Sequence, residues 1–205
     1  MGQRLVVTVK QNDKEIAGIY YHWSAYTISA LDTARRLIEC LTDSENPIQD
    51  LRLRLIRFVE QEGGCIDHFN GGNNPYMDEW NAIKEMYPNE TFNDEGSRSD
   101  GLIALTESGI EKLHEWEEGG LTIDLDECKI FNDVYSADTM EDYKTYNEDD
   151  DDEEIPTLDI TIEEIPFDKI SETIDTLENL PGYAFIQKTT SYEDDADRCV
   201  YQLIE

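Results

Sequence analysis

The second half of the chain carries 31 acidic side chains against 6 basic ones, a net charge of −25, while residues 1–100 carry 17 against 10, a net of −7. The charge peaks in the unbroken run Glu148–Glu154 (EDDDDEE), which Ile155-Pro156 follows. Carboxylates packed so densely repel one another and cannot enter an apolar core without counter-charges. The run therefore reads as a solvated linker, and whatever folds beside it must turn its acids outward. A folded chain is expected all the same. Its hydrophobic fraction is 39%, with 11 Tyr, 6 Phe and 3 Trp, whereas disordered acidic tails lack aromatic and β-branched residues.

Several functions are excluded at this level. No apolar run approaches the roughly 18 residues of a membrane span. The start MGQRLVVTVK has no signal-peptide core, and Val6 stands where myristoylation needs Ser or Thr. The expectation is a cytoplasmic protein with no membrane partner. Direct contact with nucleic acid or anionic lipid needs a basic face, which a net charge of −32 does not supply. Cys40, Cys65, Cys128 and Cys199 are scattered without a CxxC pair, so free thiols in a reducing compartment are expected, not zinc ligands or a redox pair. No metal or cofactor is expected either. A calcium loop opening at Asp124 would have Lys129 where its glycine belongs, and Glu148–Glu154 holds no glycine. No GxxxxGK[ST], GxGxxG or HExxH sequence occurs.

Periodicity points to an α+β fold. Leu5, Val7 and Val9 alternate as in a strand, Asn12-Asp13 supplies a turn, and Ile16–His22 returns as the hairpin partner. Helices are expected over Thr27–Leu41, from Pro47 to about Gln61, around Met77–Met86, and over Ser108–Glu118. Strands follow at Leu102–Leu105, Leu121–Asp126 and Lys129–Tyr135. Beyond the acidic run come strand Leu158–Ile165, helix Asp168–Leu180, and strands Tyr183–Thr190 and Cys199–Ile204. The organisation expected is an α+β domain over 1–147, an acidic linker over 148–156, and a small β-α-β-β module over 157–205.

The same periodicities order the carboxylates. Glu107, Glu111, Glu115 and Glu118 fall on one stripe of a helix whose Ile110, Leu113 and Trp116 face inward. Asp168, Glu172, Asp175 and Glu178 lie opposite Ile170, Ile174 and Leu177. Asp124 and Asp126 oppose Leu121, Ile123 and Leu125 on one strand, and Asp159 and Glu163 oppose Leu158, Ile160 and Ile162 on another. Glu107, Glu111, Glu115, Glu118, Asp124, Asp126, Asp159 and Glu163, with Asp149, Asp150, Asp151 and Asp152 of the run and Glu193, Asp194, Asp195 and Asp197 near the end, form the expected partner-binding surface. Alternate strand residues are about 6.6–6.8 Å apart, roughly the spacing of phosphates along a nucleic-acid strand. Adaptation to high salt would spread acids over both halves, while acidity that serves solubility alone stays the alternative reading of such a surface.

In charge and size the chain resembles the acidic anti-restriction and anti-CRISPR proteins of phages and mobile elements, several of which mimic DNA. The segment Ile19–Tyr26 (IYYHWSAY) is also similar to the openings of uncharacterised phage proteins. The resemblance implies a non-enzymatic inhibitor of a basic, nucleic-acid-handling protein, with self-association through the N-terminal helices as a further expectation. An immunity protein against a basic toxin nuclease would share the electrostatics. An enzyme would draw on His22, or on Cys65 with His68 beside the glycine-rich Gly71-Gly72 loop. His22 is expected to pack or cap, and His114 to be solvated.

Overall fold

The structure is a computed structural model that describes residues 3–45, 47–67, 79–93, 95–134 and 162–179 in full, and strands 157–158, 183–189 and 198–204 as backbone. The chain opens with β1 (Leu5–Gln11) and β2 (Lys14–Tyr21). Asn12 and Asp13 between them both take positive φ, 54° and 57°. That is the geometry of a tight type I′ hairpin turn, which these short polar side chains tolerate. Then come α1 (Thr27–Thr42), α2 (Leu51–Gln61), β3 (Cys65–Ile66), α3 (Glu79–Met86), β4 (Leu102–Ala104), α4 (Glu107–His114), β5 (Gly119–Asp124) and β6 (Lys129–Asp133). The remaining elements are β7 (Thr157–Leu158), β8 (Glu164–Pro166), α5 (Ile170–Glu178), β9 (Tyr183–Thr189) and β10 (Arg198–Ile204). The fold is α+β.

Seven strands form one mixed sheet in the order β3-β4-β2-β1-β5-β6-β8. Strand β1 lies at its centre, antiparallel to β2 and parallel to β5. Leu5, Val6, Val7, Thr8 and Val9 are all buried, as a strand covered on both faces requires. Leu5, Val7, Val9, Ile19, Ile103 and Leu121 share a core with α1, α2 and α5. Val6, Tyr20, Leu102 and Ala104 pack instead against Ile110 and Leu113 of α4. Among the described helices α4 alone therefore lies on the face opposite α1, α2 and α5. A second sheet has the order β7-β10-β9, with antiparallel pairing throughout.

The expected strand Leu158–Ile165 is divided. Thr157–Leu158 pairs with β10, whereas Glu164–Pro166 pairs with β6 at the edge of the large sheet. Ile162, Ile165, Ile170, Ile174 and Leu177 join the α1 core, so residues 162–179 belong to the body that the N-terminal half builds. A three-residue strand and a nine-residue helix bury little against each other, and the edge of β6 and the apolar flank of α1 offer more. Two helix ends also differ from expectation. Helix α2 starts after Asp50, whose carboxylate accepts the N–H groups of Arg52 and Leu53 (3.0 and 3.3 Å), which leaves Pro47 outside it. Helix α4 stops at His114 because the N–H groups of Glu118 and Gly119 turn to the Arg4 carbonyl (2.9 and 3.1 Å) and start β5.

Candidate interaction surface

Helix α4 is fixed at its start by a buried carboxylate. Glu79, at the head of α3, accepts the N–H groups of Leu105 (3.1 Å) and Thr106 (3.4 Å) and the Thr106 hydroxyl. Thr106 in turn caps the helix by accepting the N–H of Gly109 (3.0 Å). A side chain at Gly109 would collide with the Glu79 carboxylate, and a glycine in the first turns of a helix is the one sequence signal that something approaches there. Burial pushes the Glu79 carboxyl above its ordinary range, against the pull of these donors, with Asp67 adding to the rise. Glu107, in the first turn of α4, also matches its positive dipole end.

At the other end His114 is exposed, as expected, and is also held by its neighbours. Its Nδ1 lies 2.6 Å from Glu117 Oε2, and its Nε2 lies 3.4 Å from Thr8 Oγ1 and 3.9 Å from Glu15. Hydroxyl, imidazole and carboxylate in that order can activate a nucleophile. Thr8, however, is only 2 % exposed in the middle of the central strand, where an incoming substrate cannot reach it. The contact pins α4 to the sheet.

Between these anchors the outer side of α4 presents Glu107, Glu111 and Glu115, all exposed. Glu115 keeps right-handed helical angles (φ −62°, ψ −20°), so the three lie about 6 Å apart along the axis by helix rise. Among the described residues no ion pair engages them. Each i,i+4 pair of like charges costs a few tenths of a kcal/mol. The row stands on a fixed helix and, among the described residues, is uncompensated.

The other expected contact residues divide. Glu118 is exposed but committed to Arg4: it accepts the Arg4 backbone N–H (2.9 Å) and pairs with the guanidinium (3.0 Å). Asp124 is 2 % exposed and cannot touch a partner. It pairs with Lys10 (3.1 Å) and accepts the N–H groups of Asp126 and Glu127 (2.9 and 3.0 Å), closing the β5–β6 turn. Asp126 is exposed and accepts the N–H of Asp13 (3.2 Å). Glu163 is half-buried. Asp149, Asp150, Asp151, Asp152, Asp159, Glu193, Asp194, Asp195 and Asp197 lie outside the described residues. The acids of α5 are on the other side of the sheet from α4, so one partner groove cannot engage both helical rows. Among those acids Glu172 is paired with Lys169 (2.7 Å).

The Glu127 N–H above all, with Lys10 beside it, holds the Asp124 carboxyl below its ordinary range. The folded state thus favours the charged form. Its contribution to stability is present above the ordinary aspartate pKa and is lost as pH falls through the depressed one. D124N is expected to unfold at a lower temperature than the parent at pH 7, with the difference shrinking towards about pH 2. Melting curves across that range decide it, and a pH-independent difference would remove the carboxylate as the cause.

Of the residues considered for chemistry, His22 sits 2.6 Å from the Tyr20 hydroxyl and packs edge-on against Trp23, as a packing histidine should. Burial pushes the Cys65 thiol up and Asp67 adds to it, the reverse of what an activated thiol needs. His68 lies outside the described residues. No described helix is long and apolar enough to cross a membrane. Comparison with models of known protein families, with curated proteins and with solved structures returns no match for this chain.

Proposed function

We propose that this chain is a non-enzymatic inhibitor that binds a basic, nucleic-acid-handling protein and occupies the groove that would hold a phosphate backbone. The carrying observation is the row Glu107, Glu111 and Glu115, exposed and, among the described residues, without ion pairs, on a helix capped at one end and clamped at the other. A groove built for phosphates gains affinity by releasing counterions, and a stiff row of carboxylates can substitute for the polyanion and be steered to it. Within the anionic half of the chain, α4 is the element that presents this row, on one face of the sheet. Charges alone set encounter and orientation, with little demand on base-like detail.

The test is displacement of a fluorescent DNA duplex from a type I restriction enzyme, a Cas9–guide complex and a basic toxin nuclease. The expected result is displacement from at least one of them at about 50 mM salt that weakens steeply towards about 200 mM. Displacement from none, or displacement indifferent to salt, would overturn the proposal.

A further inference from the structure

We infer that Trp23 is the apolar anchor of the α4-side interface, and that the partner brings an apolar pocket bordered by Lys or Arg; this rests on the reading just proposed. Among the described residues Trp23 and Met86 are the exposed large apolar side chains, and Trp23 is the more open, at 53 %. Its backbone takes φ +71°, the left-handed region that bulky L residues avoid and glycine accepts freely. The turn around it is pinned on both sides, by the His22 N–H on the Arg98 carbonyl (3.0 Å) and the Ala25 N–H on the Gln3 carbonyl (3.1 Å). A large ring is therefore held outward, in a conformation that disfavours it, for little burial in return.

The surroundings connect this ring to the acidic row. Trp23 packs edge-on against His22, with ring centres 4.7 Å apart. The His22 ring is fixed by the Tyr20 hydroxyl, and Tyr20 meets Trp116 edge-on at 5.6 Å. Trp116 directly follows Glu115, the last carboxylate of the row. Four rings thus run from the end of the α4 row to an exposed tryptophan. Interfaces concentrate affinity in a few aromatic or arginine anchors seated in pockets, while surrounding charges govern approach. Charge complementarity with the row commits the occupant to a cationic protein surface.

Panning a phage library of random 12-residue peptides over the full-length protein tests this without knowledge of the natural partner. Enriched sequences are expected to carry an aliphatic or aromatic residue flanked by Lys and Arg. Synthetic peptides of those sequences should bind W23A at least tenfold more weakly by fluorescence anisotropy, and lose affinity with salt on the wild type. W23G is expected to lose the same affinity while melting no lower than wild type, because glycine suits the positive φ. Basic peptides that bind W23A and wild type alike would overturn the anchor and leave the charge reading standing. Trp23-dependent peptides without basic residues would leave the anchor and overturn the cationic partner. No enrichment at all, or a W23G variant that melts well below wild type, would also overturn the inference.

Discussion

Arg54→Ala is expected to lower the unfolding free energy by about 3 kcal/mol, a large effect for one residue on a helix surface facing another. Arg54 is 7 % exposed, and its guanidinium is spent on carbonyl oxygens. Nη1 donates to Cys40, Leu41 and Asp43 (3.1, 3.0 and 3.0 Å), and Nε and Nη2 both donate to the Ile48 carbonyl, the former at 2.9 Å. Cys40 and Leu41 belong to the last turn of α1, where carbonyls lack intrahelical partners, and that turn contains no basic residue of its own. Arg54 therefore caps α1 from α2 and fixes the connection between them. Its charge sits at the negative end of the α1 dipole. Truncation would leave the buried Leu41 carbonyl and the part-buried carbonyls of Cys40, Asp43 and Ile48 without this donor, a buried one costing about 1–3 kcal/mol before water enters. Lysine keeps the charge but concentrates its donors at one point, so R54K is expected to recover less than half of the loss. Urea titrations that shift in midpoint at constant slope would measure both. Two variants within about 0.5 kcal/mol of wild type would show that water serves these carbonyls equally well.

Arg54 also shows where sequence reading ends. Periodicity located what depends on neighbours in the chain: the face of β1 formed by Leu5, Val7 and Val9, the Asn12-Asp13 turn, and α1 starting at Thr27. It found α5 to within a few residues, because Ile170, Ile174 and Leu177 repeat at helical spacing. It misplaced whatever depends on a distant partner. Alternation correctly set Asp124 opposite Leu121 and Ile123, but it reports which face a residue takes and not what covers that face. Lys10, 114 positions away, and the N–H groups of the following turn cover Asp124. Glu118 was legible as acidic and not as the partner of Arg4. The split of residues 157–166 between two sheets depends on strand pairing with β6 and β10, which no local pattern encodes. The α4 row was legible because a helix carries its own geometry.

Reversal of that row, E107K/E111K/E115K, is expected to slow association with a basic partner by on the order of 10²-fold at low salt, with the difference shrinking as salt rises. All three side chains are exposed and free of ion pairs among the described residues, so the exchange removes no contact that holds α4 in place. The capping by Thr106 and Glu79 and the clamp at His114 use other atoms. The melting temperature should therefore stay near wild type, which separates a binding defect from misfolding. One counter-effect has a known direction: lysine at position 107 opposes the positive end of the helix dipole, by about 0.3–1 kcal/mol, so E107Q/E111K/E115K serves as a companion. Reversal at Asp124 would not serve the same purpose. It would set a second ammonium group beside Lys10 at a buried position and take away the acceptor of two N–H groups, and the loss of binding would then report a broken β5–β6 turn. Stopped-flow association of the α4 variants against a DNA-displaced enzyme gives the decisive comparison. Unchanged rates at low salt, with the fold intact, would mean that the ordered carboxylates of α4 do not guide the encounter.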